Sequence, residues 1–126
     1  MIQATEHIYI DFIPEKGRAV FAAKTFEPGE IIETCPVIIL PNEDKLKIHE
    51  TFLHDYYFDW GEQGEDCCIA LGFGSMYNHS DTPNAEYMMF IEDQLLQISC
   101  QHKIMGGEEI CISYIAHENQ KDRLWF

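Results

Sequence analysis

The chain has 126 residues, 46% of them apolar, and sets 22 Asp and Glu against 8 Lys and Arg for a formal net charge of −14. That length suits one domain, and an apolar fraction of this size builds a core without metals or disulfides. The charge argues against direct nucleic-acid binding and serves equally well either to draw in cationic partners such as a basic peptide or simply to keep the protein soluble, and no apolar run is long enough to span a bilayer.

Residues 1–15 lack the basic-then-apolar block of a secretory leader. A cytoplasmic protein is therefore expected, with nuclear or host-cell delivery left open. The five cysteines (Cys35, Cys67, Cys68, Cys100, Cys111) are odd in number and form no C-x-x-C, so no disulfide framework is expected. Adjacent Cys67 and Cys68 point to opposite sides of an extended chain, which suits a shared metal poorly. Cys100 and His102 can share a strand face as a pair of ligands, but buried or edge thiols are the simpler reading, and no metal is expected.

In chain order, His7–Phe12 alternates and is rich in Ile and Tyr, a strand pattern. Lys16-Gly17 is a turn, and Ala19–Ala22 resumes as a strand. Glu27-Pro28-Gly29-Glu30 has Pro and Gly where a turn needs them. Ile31–Leu40 is β-prone but interrupted by Pro36, which predicts two strand pieces or an edge strand. Asn42–Leu53 is the first helical candidate, with Asn42 as cap and Glu43 and Asp44 in the first turn. Tyr56–Phe58 reads as a short strand, 59–66 as a solvated acidic loop, and Cys67–Leu71 as an apolar run ended by Gly72-Phe73-Gly74. Ala85–Ile91 and Gln94–Ser99 flank Glu92-Asp93 as a hairpin. Gly106-Gly107 is a turn into a strand at Glu109–Ile115, and Glu118–Leu124 suggests a short terminal helix. Gly29-Glu30-Ile31-Ile32 and Gly107-Glu108-Glu109-Ile110 echo each other, each a turn entering a strand. The sum is a single, mainly β domain with one or two short helices.

The polar segment Asn78-His79-Ser80-Asp81-Thr82-Pro83-Asn84 follows an apolar stretch. Its Asn and His side chains both donate and accept, so they can hold a polar ligand at the edge of a core. Composition alone favours a plain hairpin loop. Asn78-His79-Ser80 is formally a glycosylation acceptor, which has no bearing without a secretory leader. A catalytic dyad through His79 lacks a nucleophile motif.

The whole pattern is more specific. Asn-His-Ser-x-x-Pro-Asn at 78–84, followed by Gly-Glu-Glu-Ile-x-Ile-Ser-Tyr at 107–114, resembles the paired signature of SET-domain protein-lysine methyltransferases. The approach at 70–77 is similar to short stand-alone viral and bacterial members. Lys16-Gly17-Arg18-Ala19-Val20-Phe21-Ala22 is similar to the family's first motif, with Ala19 where a second Gly is common. The resemblance covers about residues 7–116, leaving 117–126 as a C-terminal flank of a domain spanning 1–126.

This resemblance implies the SET (β-clip) fold of small sheets, with the strand ending at Tyr114 threaded past the 78–84 loop as a pseudoknot. It implies S-adenosylmethionine as cofactor, with S-adenosylhomocysteine as product, held by Lys16, Gly17, Arg18 and Ala19 and by Asn78 and His79. Tyr114 is implied as the catalytic tyrosine at the methyl-transfer point. Tyr56 and Tyr87 are implied to line the lysine channel with Tyr114. The Cys-rich flanks of many eukaryotic members are absent, so Trp125 and Phe126 are candidates to close the channel. A hydroxyl at Tyr87 would crowd it and favour monomethylation. A homodimer is expected, because small members complete their sites by pairing. The implied activity is methyl transfer to the ε-amine of a lysine in a histone or other basic peptide. The alternative is a catalytically inactive SET module that binds a peptide or protein partner.

Overall fold

The computed structural model describes residues 6–114. The sequence expectations at Trp125, Phe126 and the terminal helix 118–124 lie outside the described residues. The chain forms β1 (Ile8–Ile13), β2 (Gly17–Ala22), β3 (Ile31–Leu40), α1 (Asn42–His49), β4 (Phe58–Trp60), β5 (Asp66–Ala70), β6 (Asn78–His79), β7 (Ala85–Phe90), β8 (Leu95–Cys100) and β9 (Cys111–Ile112), with 3-10 turns at Phe52–Asp55 and Gly74–Met76.

Turn chemistry sets much of this. β1 and β2 form an antiparallel hairpin in which Ile13 faces Gly17. Its turn closes by Lys16 N–H donating to the Ile13 carbonyl at 3.0 Å, and Gly17 follows at φ +88°. Pro14 presets the turn's first central φ, and only glycine takes the left-handed residue cheaply. The two echoed segments are the same device. Gly29 (φ +90°) and Gly107 (φ +93°) each sit third in a turn closed at 3.0 Å, Glu30 N–H to Glu27 O and Glu108 N–H to Met105 O. In each, the following glutamate returns its carboxylate to the N–H of the turn's first residue, Glu27 and Met105 respectively.

The main sheet has the order β4-β5-β3-β8-β7. β3 is its central strand, not an edge. The break expected at Pro36 is real in another form: residues 31–36 pair with β8 and residues 37–40 pair with β5. Proline stands where the strand changes partners, so its missing N–H disrupts neither ladder. The sheet coils strongly, because Phe58 on one edge strand and Tyr87 on the other bring their rings to 4.9 Å. Between them lie Cys35, Cys68, Leu96 and Ile98, all fully buried.

α1 is shorter than the sequence suggested, and Asn42 is its first helical residue rather than its cap. Pro41 takes the cap position without a side-chain bond. Asn42 N–H donates to Asp66 Oδ1 instead, and Lys45 pairs with Asp59 at 2.7 Å, so α1 is held against the β4–β5 edge by polar contacts. None of its residues is buried. Thr51 then caps the separate 3-10 turn through Leu53 N–H. No helix among the described residues is long and apolar enough to cross a membrane.

The last described segment decides the architecture. Residues 107–110 add to β2: Ala22 N–H donates to Glu108 O, Gly107 N–H to Ala22 O and Ile110 N–H to Val20 O. Immediately afterwards β9 pairs in parallel with β6. Parallel neighbours need a long crossover, here supplied by β7, β8 and their turns. The chain thus passes between the first hairpin and the 78–84 loop, and the three sequence motifs become neighbours. Asn84 locks the passage: its Nδ2 donates to Glu109 O at 2.9 Å, and its Oδ1 accepts from Cys111 N–H at 2.9 Å.

One buried charge braces this region. Glu33 of β3 is 3% exposed. Its carboxylate accepts from the Tyr77 hydroxyl at 2.7 Å and from Phe73 N–H at 2.9 Å. Gly72 and Gly74 leave room for it and for the β3–β5 core. A Cβ on Gly74 would stand 2.5 Å from Ala70 Cβ and 2.8 Å from Cys35 Sγ. Gly74→Ala is therefore expected to destabilise the fold by about 1–3 kcal/mol, read as a fall in urea midpoint at constant slope.

Candidate active site

An open cleft of about 820 Å³ lies where the first hairpin, the 3-10 turns and the threaded segment meet. It is lined by Phe12, Lys16, Gly17, Arg18, Asp55, Tyr56, Ser75, Met76, Asn78, His79 and Tyr114. Of the sequence-derived site residues, Lys16, Gly17, Arg18, Tyr56, Asn78, His79 and Tyr114 all reach this wall. Phe12, Asp55, Ser75 and Met76 are additions. Asp55 adjoins Tyr56, and Ser75 and Met76 lie in the 70–77 approach to Asn78, but nothing singled out Phe12, whose place depends on which loops converge.

Two expectations land elsewhere. Ala19 is fully buried in β2, opposite Asp11, and does not border the cleft. Gln94 is the only described non-glycine residue at positive φ, so alanine fits this position without strain. Tyr87 lies on the inner face of the main sheet against Phe58, and burial pushes its phenol up to about 12. It is not part of the cleft wall.

Tyr114 is fixed at both ends. Its hydroxyl donates to the Tyr77 carbonyl at 2.8 Å, and its N–H donates to His79 Nδ1 at 3.0 Å. The rings of Tyr114 and His79 lie 5.1 Å apart. Burial, and after it the Asp55 carboxylate, raise the Tyr114 phenol to about 12. Because His79 Nδ1 accepts a backbone N–H, its proton belongs on Nε2, which faces Asp81 Oδ1 at 3.0 Å. Both ring nitrogens are thus engaged in structure, and His79 is not placed as a general base.

Beside them, the Glu109 carboxylate accepts from Lys16 Nζ at 3.0 Å and from Asn78 Nδ2 at 2.8 Å. Gly17 contributes open space: a Cβ there would meet nothing within 4 Å, but φ is +88°. Gly17→Ala is expected to cost about 1 kcal/mol of backbone strain and to place a methyl in the cleft, seen as a fall in urea midpoint and as weaker binding of any ligand seated there. The cleft's size is that of a small-molecule site, and its walls carry a cation, an amide, an imidazole and exposed hairpin backbone. That set fits a ligand with a carboxylate, an ammonium and a heterocycle.

Cys100, weighed as a metal ligand with His102, instead donates its S–H to the His102 and Phe26 carbonyls. Among the described residues no cluster of three or more His, Cys, Asp or Glu side chains is arranged to hold a metal.

Comparison with known proteins adds an independent line. The SET domain profile matches residues 17–115. A histone-lysine N-methyltransferase of Schizosaccharomyces pombe, described as H3 lysine-37 specific, is 34% identical over 114 residues, covering 88% of this chain and 71% of that protein. The protein-lysine N-trimethyltransferase SMYD5 of Danio rerio is 29% identical over 117 residues, and there the match spans only 28% of the longer protein. The crystal structure of a Plasmodium falciparum protein described as a histone methyltransferase superposes with a TM-score of 0.69 at 32% identity, covering 89% of this chain and 96% of that one. A profile match over most of the chain, falling on a cleft assembled from the same three motifs, shows that this chain belongs to the SET-domain family.

Proposed function

We propose that this chain is an S-adenosylmethionine-dependent protein-lysine methyltransferase and that the cleft bounded by Gly17, Asn78 and Tyr114 is its cofactor site. The observation that carries the reading is the convergence of Lys16–Arg18, Asn78-His79 and Tyr114 on one wall. Family membership and lysine-methyltransferase relatives support the activity. Lys16, the backbone of Gly17 and Arg18, Asn78 and His79 are the residues that would hold the cofactor, with Ala19 buried next in line on β2. The bound cofactor supplies an electrophilic methyl group.

The protein's own contribution is positioning. A lysine amine is nucleophilic only when neutral, and with an ordinary pKa of about 10.4 its deprotonation at pH 7 costs about 4–5 kcal/mol. A half-buried aromatic wall of Tyr56 and Tyr114 disfavours the ammonium form by desolvation. The Tyr114 hydroxyl, pinned on the Tyr77 carbonyl, offers its oxygen lone pairs to an amine hydrogen and so orients the nitrogen lone pair. Since burial holds that phenol at about 12, it stays neutral throughout the usable range. The rate is therefore expected to rise with pH as the substrate lysine deprotonates, with no fall from Tyr114 ionisation up to about pH 11. A kcat/KM profile with a descending limb between pH 8 and 10 that disappears in Tyr114→Phe would contradict this assignment.

The substrate is proposed to be a basic lysine-containing segment of a histone or other protein, drawn by the −14 net charge. The direct test is incubation with labelled S-adenosylmethionine and histones or basic peptides. Absence of label together with absence of cofactor binding would sink the reading. Tyr87 is proposed as a deeper channel residue on the strength of the motif alone. Tyr87→Phe is expected to raise the di- and trimethyl fraction in mass spectra, whereas an unchanged ratio would confine Tyr87 to packing on Phe58. Homodimerisation stands as a further proposal, checked by light scattering at working concentration.

A further inference from the structure

The motif at 107–114 contains consecutive glutamates that the structure uses differently. Glu108 caps its own turn through Met105 N–H. Glu109 turns inward, with its side chain 17% exposed, and spends one oxygen on each of two cleft residues: Oε1 on Lys16 Nζ and Oε2 on Asn78 Nδ2. The backbone beneath it is fixed, since Glu109 O accepts from Asn84 Nδ2 and the residue bridges to Phe21 of β2. The carboxylate is thus held from a rigid base between the first and second motifs.

An asparagine amide can face either way, and its partners decide which. Glu109 is an acceptor only, so it claims the Asn78 NH2 group. The amide oxygen is then left for a donor in the cleft. We propose that Glu109 is a positioning residue that presets Asn78 with its Oδ1 toward the cofactor's α-ammonium group and holds the Lys16 ammonium where a cofactor carboxylate can reach it. This rests on the cofactor site proposed above. It makes Glu109 a determinant of recognition of the amino-acid end of the ligand, leaving the nucleoside end unaffected. The raised Lys16 pKa, caused first by its bond to Glu109, is consistent with a cation kept charged at this wall.

Glutamine at 109 has one acceptor oxygen and one donor NH2, so it cannot give Lys16 and Asn78 an oxygen each as the carboxylate does. Glu109→Gln is expected to weaken S-adenosylhomocysteine about tenfold by calorimetry, the loss of one charge-assisted hydrogen bond. It is expected to leave methylthioadenosine, which lacks the amino-acid end, within about twofold. Asn78→Asp should also weaken S-adenosylhomocysteine, because two carboxylates then face each other. The double variant Asn78→Asp/Glu109→Gln restores a complete set: the glutamine oxygen accepts from Lys16, its NH2 donates to the new carboxylate, and an acceptor again faces the cleft. Its affinity should return to within about threefold of the parent.

Equal weakening of both ligands by Glu109→Gln, or no weakening, would overturn the proposal, as would a double variant no tighter than Asn78→Asp alone. If Glu109→Gln does not fold, the comparison of Asn78→Asp with the double variant carries the test. If the parent protein binds neither ligand, the cofactor site itself is wrong, a result distinct from parent binding with no effect of the variants.

Discussion

Tyr114→Phe is expected to lower kcat for lysine methylation by about 10²–10³-fold, comparable to the loss of a single preorganised group at a transition state. Binding of S-adenosylhomocysteine is expected to stay within about threefold. The split follows from what the hydroxyl does. The Tyr114 ring packs beside His79, and its N–H fixes His79 Nδ1; both survive in phenylalanine. What is lost is the bond to the Tyr77 carbonyl and the oxygen that orients the incoming amine. A large fall in cofactor affinity would assign the tyrosine to ligand binding. Unchanged methylation would favour the alternative of a SET module that binds partners without chemistry. The variant should retain any partner affinity of the parent, which separates the two readings in one preparation.

Glu33→Ala is expected to be the most destabilising single change near the site, at about 3–5 kcal/mol. The truncation orphans the buried Tyr77 hydroxyl and the part-buried Phe73 N–H, and leaves a void beside Gly72. For a domain of this size that corresponds to a fall in Tm of about 10–20 °C. Glu33→Gln keeps an acceptor for one donor while presenting its own NH2 to the other, so about half the loss is expected. The effect should reach the chemistry as well. Tyr77 links Glu33, through its hydroxyl, to Tyr114, through its carbonyl. Residual folded Glu33→Gln should therefore show a lower kcat with little change in cofactor affinity. A Tm shift under 2 °C for Glu33→Ala would mean that water or rearrangement satisfies these donors.

The buried carboxylate illustrates what composition hides. Glu33 sits in the β-prone run Ile31–Leu40, where nothing in the neighbouring residues marks its carboxylate for burial. Its burial follows from β3 becoming the central strand, with the 72–77 turn folding over it. The same topology moved Pro36 from an edge to a junction between partners. By contrast, the hairpin at Gly17 and the turns at Gly29 and Gly107 were legible at once, because positive φ after a Pro or Gly signal is a local, short-range requirement. The helix at 42–49 was placed correctly and ended too late. Its apolar positions bury nothing, so periodicity there had no core to report.

The sequence by itself determined the family and the mainly β character, and it singled out most of the residues that line the cleft, because motifs and turns carry their meaning in adjacent residues. Lys16, Gly17, Arg18, Asn78, His79 and Tyr114 all stand in those motifs and all line the cleft. Tertiary structure alone decided how they meet. It took the crossover through β7 and β8 to bring β9 alongside β6, and with it Tyr114 onto His79, Glu109 onto Lys16 and Asn78, and the Tyr114 hydroxyl onto the Tyr77 carbonyl. It also placed Ala19 in the core beneath the hairpin and the half-buried Tyr87 against Phe58, neither of them on the cleft wall. Contacts between residues tens of positions apart depend on which strands pair, and pairing is settled by the burial of the whole core rather than by any one segment.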